Sequence, residues 1–352
     1  MVTALSPTDP ARAAIDGALT PIVAIGASAG GVAALTELVS ALPADLAAAV
    51  FIVLHLPPHS RSELPAILQR VTRLPVAAAS DGEPIVAGCI RVAPPDRHLV
   101  LESGHVRLTR SPRECRARPA VDVLFRSAAM AHGSHVIGVV LSGVLDDGTA
   151  GLWAVKDRDG FALVQDPETA EHPSMPDSAR RLVAVDAVLA PARLGTEIGR
   201  LVASMKPAAS MPADERLQIE TDIALRGGAR RGGVARLGPS SDYSCPECHR
   251  GLVRIQEGRI VRFRCHNGHA FSLETLLVDI NASIDRGIWD AVGAVEERES
   301  LLRELADAAA QSGRDDVAGR YRAQADDTDR RVRELRDLVL DHRFLGPAVD
   351  PP

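Results

Sequence analysis

The chain has 352 residues, which at roughly 150 residues per domain predicts two or three units with ample length for a buried core. Hydrophobic residues make up 46% and charged residues 24%, an ordinary globular composition that excludes a disordered chain. With 40 Lys+Arg against 46 Asp+Glu, a formal charge of -6 and 3% aromatic residues, the chain offers neither a basic field for nucleic acid nor the stacking platform of a single-strand binder.

The start, MVTALSPTDPARAAIDG, carries acids and prolines where a signal peptide needs a basic and then an apolar stretch. No apolar run reaches the roughly 18 to 20 residues that span a bilayer, so the expected location is the cytoplasm, without membrane insertion. From residue 20 to 205, apolar runs alternate with helical spacing. PIVAI, AVFIVL, IRVA, HVIGVVLS and FALVQ read as strands buried on both faces. VAALTELVSAL, RSELPAILQRV, VDVLFRSAAMA and AGLWAVKDR read as the helices between them. The alternation predicts an α/β fold with a doubly wound, mostly parallel sheet. HLVLE and HVRLT, around Ser103-Gly104, read as an antiparallel hairpin attached to it.

Residues 206 to 240, with Pro207, Pro212 and GGARRGG, read as a flexible linker. A compact segment from 241 to 272 and a helical hairpin from 273 to 346, broken near Ser312-Gly313, follow it; residues 1 to 19 form an N-terminal tail. In the second helix Val317, Tyr321, Ala325, Thr328, Val332, Leu335, Val339 and His342 recur every three or four residues. That seam either closes an αα-hairpin on itself or on the larger domain, or joins two chains as a homodimer.

The first strand runs into Gly26-Ala27-Ser28-Ala29-Gly30-Gly31 and then directly into a helix. A Ser in such a turn presents its hydroxyl at the carboxyl edge of the sheet, where an acyl-transfer nucleophile belongs. A glycine-rich turn there also cradles phosphates. No Tyr-x-x-x-Lys pair and no Gly-Lys-Ser/Thr occurs, however, and both nucleotide readings weaken. The second strand ends in VLHLPPHSR and brings His55 to the same edge, with His59 a weaker candidate. The run HVIGVVLSG ends in Val144-Leu145-Asp146-Asp147-Gly148, where an Asp ordinarily caps a helix. Three strand ends on one edge supplying Ser28, His55 and Asp147 are the set a triad requires.

Together IGASAGG, VLHLPP, RPAVDVLFRS, VLSGVLDDGTAG and SMPDSA resemble the catalytic domain of the CheB-type chemotaxis protein-glutamate methylesterases, across about residues 20 to 205. The resemblance implies a protein-glutamate O-methylesterase: nucleophile Ser28, base His55, orienting acid Asp147, and Asp146 in a variable slot. It also implies a methylated chemoreceptor or other methylated signalling protein as substrate, a methyltransferase as signalling counterpart, glutamine deamidation as a related activity, and no cofactor for catalysis. Where the family usually has Thr after the nucleophile and Met three residues before the acid, this chain has Ala29 and Val144. Their backbone amides remain the expected oxyanion donors. The roughly 20 residues ahead of the first strand are too few for the receiver domain of typical members, so phosphorylation control within this chain is not expected. Competing readings are a non-enzymatic signalling scaffold and a serine hydrolase for other esters.

Cys245-x-x-Cys248, a strand-turn-strand spacer and Cys265-His266-x-x-His269 pair soft ligands as a structural zinc ribbon does. Cys245, Cys248, Cys265 and His269 are the expected ligands, with His266 the rival for the fourth place and His249 an outside candidate. A unit of roughly 30 residues needs such a staple to fold. A similar tail resembles that of some receiverless members of the same esterase group. Cys89 and Cys115 read as inert small residues.

Overall fold

The computed structural model describes residues 19–206, 214–227 and 233–340. Its elements begin with β1 (Ile22–Ala27), α1 (Gly31–Ser40), β2 (Ala49–Leu54), α2 (Leu64–Gln69), β3 (Val76–Ala78) and β4 (Cys89–Val92). A hairpin of β5 (His98–Glu102) and β6 (His105–Thr109) precedes α3 (Val121–His132), β7 (Val136–Val140), α4 (Thr149–Asp157) and β8 (Phe161–Gln165). Then come α5 (Ser174–Leu182), β9 (Ala187–Leu189), α6 (Pro191–Ser204) and α7 (Glu215–Arg226). The chain closes with β10 (Ser240–Ser244), β11 (Gly251–Glu257), β12 (Ile260–Cys265), β13 (Ala270–Ser272), α8 (Leu273–Gln311) and α9 (Asp315–Leu340).

Seven strands form one sheet in the order β3-β4-β2-β1-β7-β8-β9, and each pairing is parallel. Both faces are covered, which is why β1 and β2 are apolar and buried at every position. Ile22, Ala24, Phe51 and Val53 pack with α3, α4 and α5, while Val23, Ile25, Val50 and Ile52 pack with α1, α2 and α6. From β1 the chain goes outward to β2 on one side and later to β7 on the other. The crevice at the carboxyl ends of these three strands is the switch point where α/β sheets bind ligands.

The linker expectation meets a difference. Within 206 to 240 the structure has α7, capped by Asp214, whose carboxylate accepts the Leu217 amide at 3.0 Å. Its Leu217, Glu220 and Ile223 are buried. Pro207 and Pro212 precede this helix and the Gly-rich run from Gly227 follows it, and neither enters it, so a short helix sits between two breaker-rich stretches.

The small antiparallel sheet β10-β11-β12-β13 belongs to the same unit as the large sheet, a unit that runs to Thr275. It is held there by buried charge. Arg264, fully buried, pairs with Glu114 at 2.7 Å and with Glu220 of α7. Arg126 of α3 pairs with the same Glu114, and Arg262 reaches Glu220 at 3.0 Å and Glu257 at 2.7 Å. Buried ions persist when each has partners on several sides, as here.

The second unit, from Leu276, is a helical hairpin. Gly313, at φ 70, ends α8. Ala325, Thr328 and Val332 of the expected seam are buried, and Arg298 of α8 donates to Thr328. Arg303 and Asp326 pair across the two helices at 3.5 Å. The seam thus closes α8 on α9; His342 lies outside the described residues.

Candidate active site and metal cluster

β1 and β2 pair in register through Ala27 and Leu54, so Ser28 and His55 leave neighbouring strands at the same level. Their positions are pinned by backbone bonds. The Ser28 amide donates to Ser142 O at 2.9 Å and the His55 amide to Ala27 O at 3.1 Å. Gly30, at φ 70, turns the chain into α1. The loop from β7 passes beneath Ser28 at Gly143, where an added Cβ would lie 2.9 Å from the Ser28 Cβ and 2.0 Å from Met175 Sδ. Leu145 takes φ 65 just before the acid pair.

Asp147 is buried and His55 partly exposed, with His55 Nε2 at 2.8 Å from Asp147 Oδ2. Asp147 also accepts the amides of Val121 at 2.7 Å and Asp122 at 3.0 Å, the first turn of α3. Burial alone would raise this carboxyl, but the hydrogen bond and charge of His55 and the two amides pull it below the usual range. A carboxylate kept ionised in this way orients an imidazole with its Nε2–H toward it and leaves Nδ1 as the basic nitrogen. Ser28, His55 and Asp147 line one cavity of about 390 Å³ together with Arg113 and residues 115–119. Val144 lines it too. Among the described residues, the amides of Ala29 and Val144 donate to no backbone carbonyl.

Asp146 stands outside this constellation. It accepts from Ser272 Oγ at 2.7 Å, and burial together with the Glu274 charge pushes it up to about 8. His59 is exposed in its loop. Cys115 is buried as expected, although it lines the cavity; burial and the nearby Asp147 charge raise its thiol well above the ordinary value, which keeps it protonated and unreactive.

Three contributors escaped the sequence reading. Asp122 accepts the amides of Gly148 at 3.0 Å and Gly151 at 2.6 Å, and burial with the Asp147 charge raises its carboxyl. Ser142 receives the Ser28 amide on its carbonyl, donates its hydroxyl to Ala29 O at 2.8 Å and accepts the His172 amide at 3.0 Å. Gln165 holds the Ser142 amide at 2.9 Å. Only the buried Gln at a strand end carried a signal, since a buried amide demands partners.

In the small sheet, one ligand atom from each of Cys245, Cys248, Cys265 and His269 lies within 4.8 Å of the others. Cys248 Sγ is 3.6 Å from Cys265 Sγ, and His269 Nδ1 is 3.5 Å from Cys265 Sγ and 3.7 Å from Cys245 Sγ. Tetrahedral Zn–S bonds of about 2.3 Å imply ligand separations of roughly 3.5 to 3.8 Å, so these residues fit a metal ion. His266 and His249 are exposed and outside the cluster.

A doubly wound α/β domain with a hydroxyl, an imidazole and a carboxylate at its switch point has hydrolase architecture. Residues 23–198 match the model of the family described as CheB methylesterase, and the chain belongs to that family. A protein-glutamate methylesterase/protein-glutamine glutaminase of Anaeromyxobacter dehalogenans is 40% identical over 184 residues, 51% of this chain and 51% of that protein. A putative protein-glutamate methylesterase/protein-glutamine glutaminase of Leptospira interrogans is 37% identical over 168 residues, 47% of this chain and 87% of that protein. This chain therefore spans about half the length of the first relative and most of the second. The crystal structure of the Thermotoga maritima CheB methylesterase catalytic domain matches with a TM-score of 0.50 and 33% identity, over 52% of this chain and 99% of that one. Among the described residues no helix is long and apolar enough to cross a membrane.

Proposed function

We propose that this chain is a protein-glutamate O-methylesterase acting on methylated chemoreceptors or related signalling proteins in the cytoplasm. The observation that carries the reading is the His55–Asp147 pair, set at the level of Ser28 on one cavity. Neutral His55 takes the Ser28 proton as the hydroxyl oxygen attacks the γ-carbonyl of a glutamyl methyl ester. Asp147 fixes the tautomer and stabilises the imidazolium. The amides of Ala29 and Val144 receive the oxyanion. Collapse of the intermediate returns the proton to the departing methoxide, methanol leaves, and an acyl-enzyme remains. Water then adds with His55 again as base, freeing the glutamate and Ser28. A glutamine side chain would follow the same route with ammonia leaving, which the names of the relatives favour as a second activity.

No step needs a cofactor. Zinc at Cys245, Cys248, Cys265 and His269 would be structural, since four protein ligands leave no open position. Ser28→Ala is expected to abolish methanol release from methylated receptor, a loss on the order of 10⁴-fold or more. Unchanged turnover would end the assignment.

A further inference from the structure

We infer that Ser272, at the junction of β13 and α8, is a positioning residue of the esterase: its hydroxyl holds Asp146, and through Asp146 the loop that aims Asp147 at His55. The inference rests on the esterase reading and gives the small sheet a part in it. Asp146 and Asp147 are consecutive, and their side chains go to different partners. Asp147 takes His55 and two amides of α3, whereas Asp146 Oδ1 accepts from Ser272 Oγ at 2.7 Å. The stretch from Leu141 to Gly148, between β7 and α4, is neither helix nor strand and passes through Leu145 at φ 65. A leucine keeps such a backbone only where its surroundings impose it. The Thr149 amide donates to Asp146 O at 3.1 Å, and the Ser272 bond fixes the Asp146 side chain as well, so this loop is pinned from outside the cavity. Burial and the charges of Glu274, Asp122 and Asp147 hold the Asp146 carboxyl up at about 8. At neutral pH a mostly uncharged group therefore meets the Ser272 hydroxyl, and no second full charge stands beside Asp147.

The anchor is built into the fold. All three residues of β13 are buried, and the strand pairs with β12 through Ala270, Phe271 and Ser272. The Ser272 hydroxyl oxygen accepts the Thr275 amide at 3.0 Å while the Ser272 amide donates to Thr275 Oγ1 at 2.8 Å, a reciprocal cap on the start of α8. With that oxygen accepting, its hydrogen goes to Asp146. Two residues earlier, Ala270 O accepts the Cys115 amide at 2.9 Å, and the Ala270 amide donates to Arg113 O at 3.3 Å. One short strand therefore grips two stretches that line the same cavity, one at Arg113 and Cys115 and the other at Leu145 and Asp147. Gly268, in the turn between Cys265 and His269, stands so close to Pro112 that a Cβ would reach its Cγ at 3.2 Å, which links this grip to the cysteine-histidine cluster. Displacement of a catalytic group by about 1 Å costs about 10²-fold in rate, so a bond that fixes the acid loop bears on turnover more than on binding.

The test compares Ser272→Ala, Asp146→Ala and the double substitution in the full-length chain, so it does not depend on one variant folding. Methanol release is measured on a synthetic peptide carrying one glutamyl γ-methyl ester. The hydrogen of the His55–Asp147 bond is followed without substrate as a low-field proton resonance, assigned by its loss in His55→Gln. Each single substitution is expected to lower kcat by roughly tenfold at unchanged KM and to shift or broaden that resonance. The double substitution should lower kcat no further, because both changes remove one interaction. Asp146→Asn keeps an uncharged acceptor for the hydroxyl and should restore both kcat and the resonance. Thr275→Ala removes the other half of the cap and should lower the thermal midpoint with kcat and the resonance kept. Native kcat with an unmoved resonance in both alanine variants overturns the inference, and so do losses that add in the double variant. A Thr275→Ala chain as slow as Ser272→Ala overturns it too, by assigning the effect to the start of α8. A native chain that releases no methanol while its resonance still answers to Ser272→Ala would instead sink the esterase reading and leave the positioning role standing.

Discussion

Asp122 and Asp147 cap each other's helices. The Asp147 carboxylate accepts the first amides of α3, where Asp122 resides, and the Asp122 carboxylate accepts the amides of Gly148 and Gly151, where the chain leaves Asp147 for α4. Each bond satisfies an amide that a helix start would otherwise leave unpaired. One geometry therefore orders both helices and aims Asp147 at His55.

Asp122→Ala removes one half of this exchange. Two buried amides lose their acceptor, each at a cost of about 1 to 3 kcal/mol, and Asp147 loses the fixed backbone that follows it. We expect a lower unfolding midpoint in urea together with a fall in kcat at little change in KM. Asp122→Asn, which keeps an acceptor oxygen, should recover much of both. Full activity in the alanine variant would show that Asp147 is aimed without Asp122.

These two aspartates mark how far the sequence could be read. Ser28, His55 and Asp147 follow apolar runs that are recognisable as strands, so their convergence on one edge was legible from local pattern alone. Asp122 was not, because its partners lie some 26 residues away in a loop whose path is set by packing. The edge strands β3 and β9 have three residues each and are partly exposed, so neither makes an apolar run. Arg126, Arg262 and Arg264 read as surface residues by type, and only the folded chain reveals the carboxylates that let them be buried.

His98 predicts a pH effect on stability. The ring is fully buried, with Nε2 at 3.0 Å from Pro112 O and Nδ1 accepting the Ala120 amide, and burial lowers its pKa to about 4. The unfolded chain, near 6.5, binds the proton more readily, so the stabilisation is complete above about 6.5 and is lost as pH falls toward 4. Burial of Asp122 and Asp146 works in the opposite direction over part of this range, since both carboxyls are raised. The His98 contribution is therefore a difference between proteins: relative to His98→Gln, the native chain should lose about 3 kcal/mol between pH 6.5 and 4. Parallel urea midpoints for the two proteins across that interval would refute the assignment.

Metal removal should act on the small sheet and be felt at the cavity. Without an ion, nothing but hydrogen bonding holds the three thiols and His269 together, and the turn that abuts Pro112 relaxes. Purified protein is expected to carry about one zinc per chain by atomic absorption. Chelation should lower the thermal midpoint and open the segment 245–270 to protease. Protein as purified that melts the same with and without chelator would remove zinc from the description.

Gly143 offers the sharpest separation of stability from activity. An added methyl would meet two neighbours, Met175 Sδ at 2.0 Å and Ser28 Cβ at 2.9 Å. The sulfur ends a flexible side chain that can move aside, at a cost of about 1 to 3 kcal/mol for overpacking. Ser28 cannot yield in the same way, because its amide is tied to Ser142 O in the loop that carries Gly143. Gly143→Ala should therefore be both less stable and nearly inactive. Adding Met175→Ala relieves the first contact and leaves the second, so the urea midpoint should partly recover while methanol release stays low. Recovery of both would mean that the loop, and not the position of Ser28, was what the methyl group disturbed.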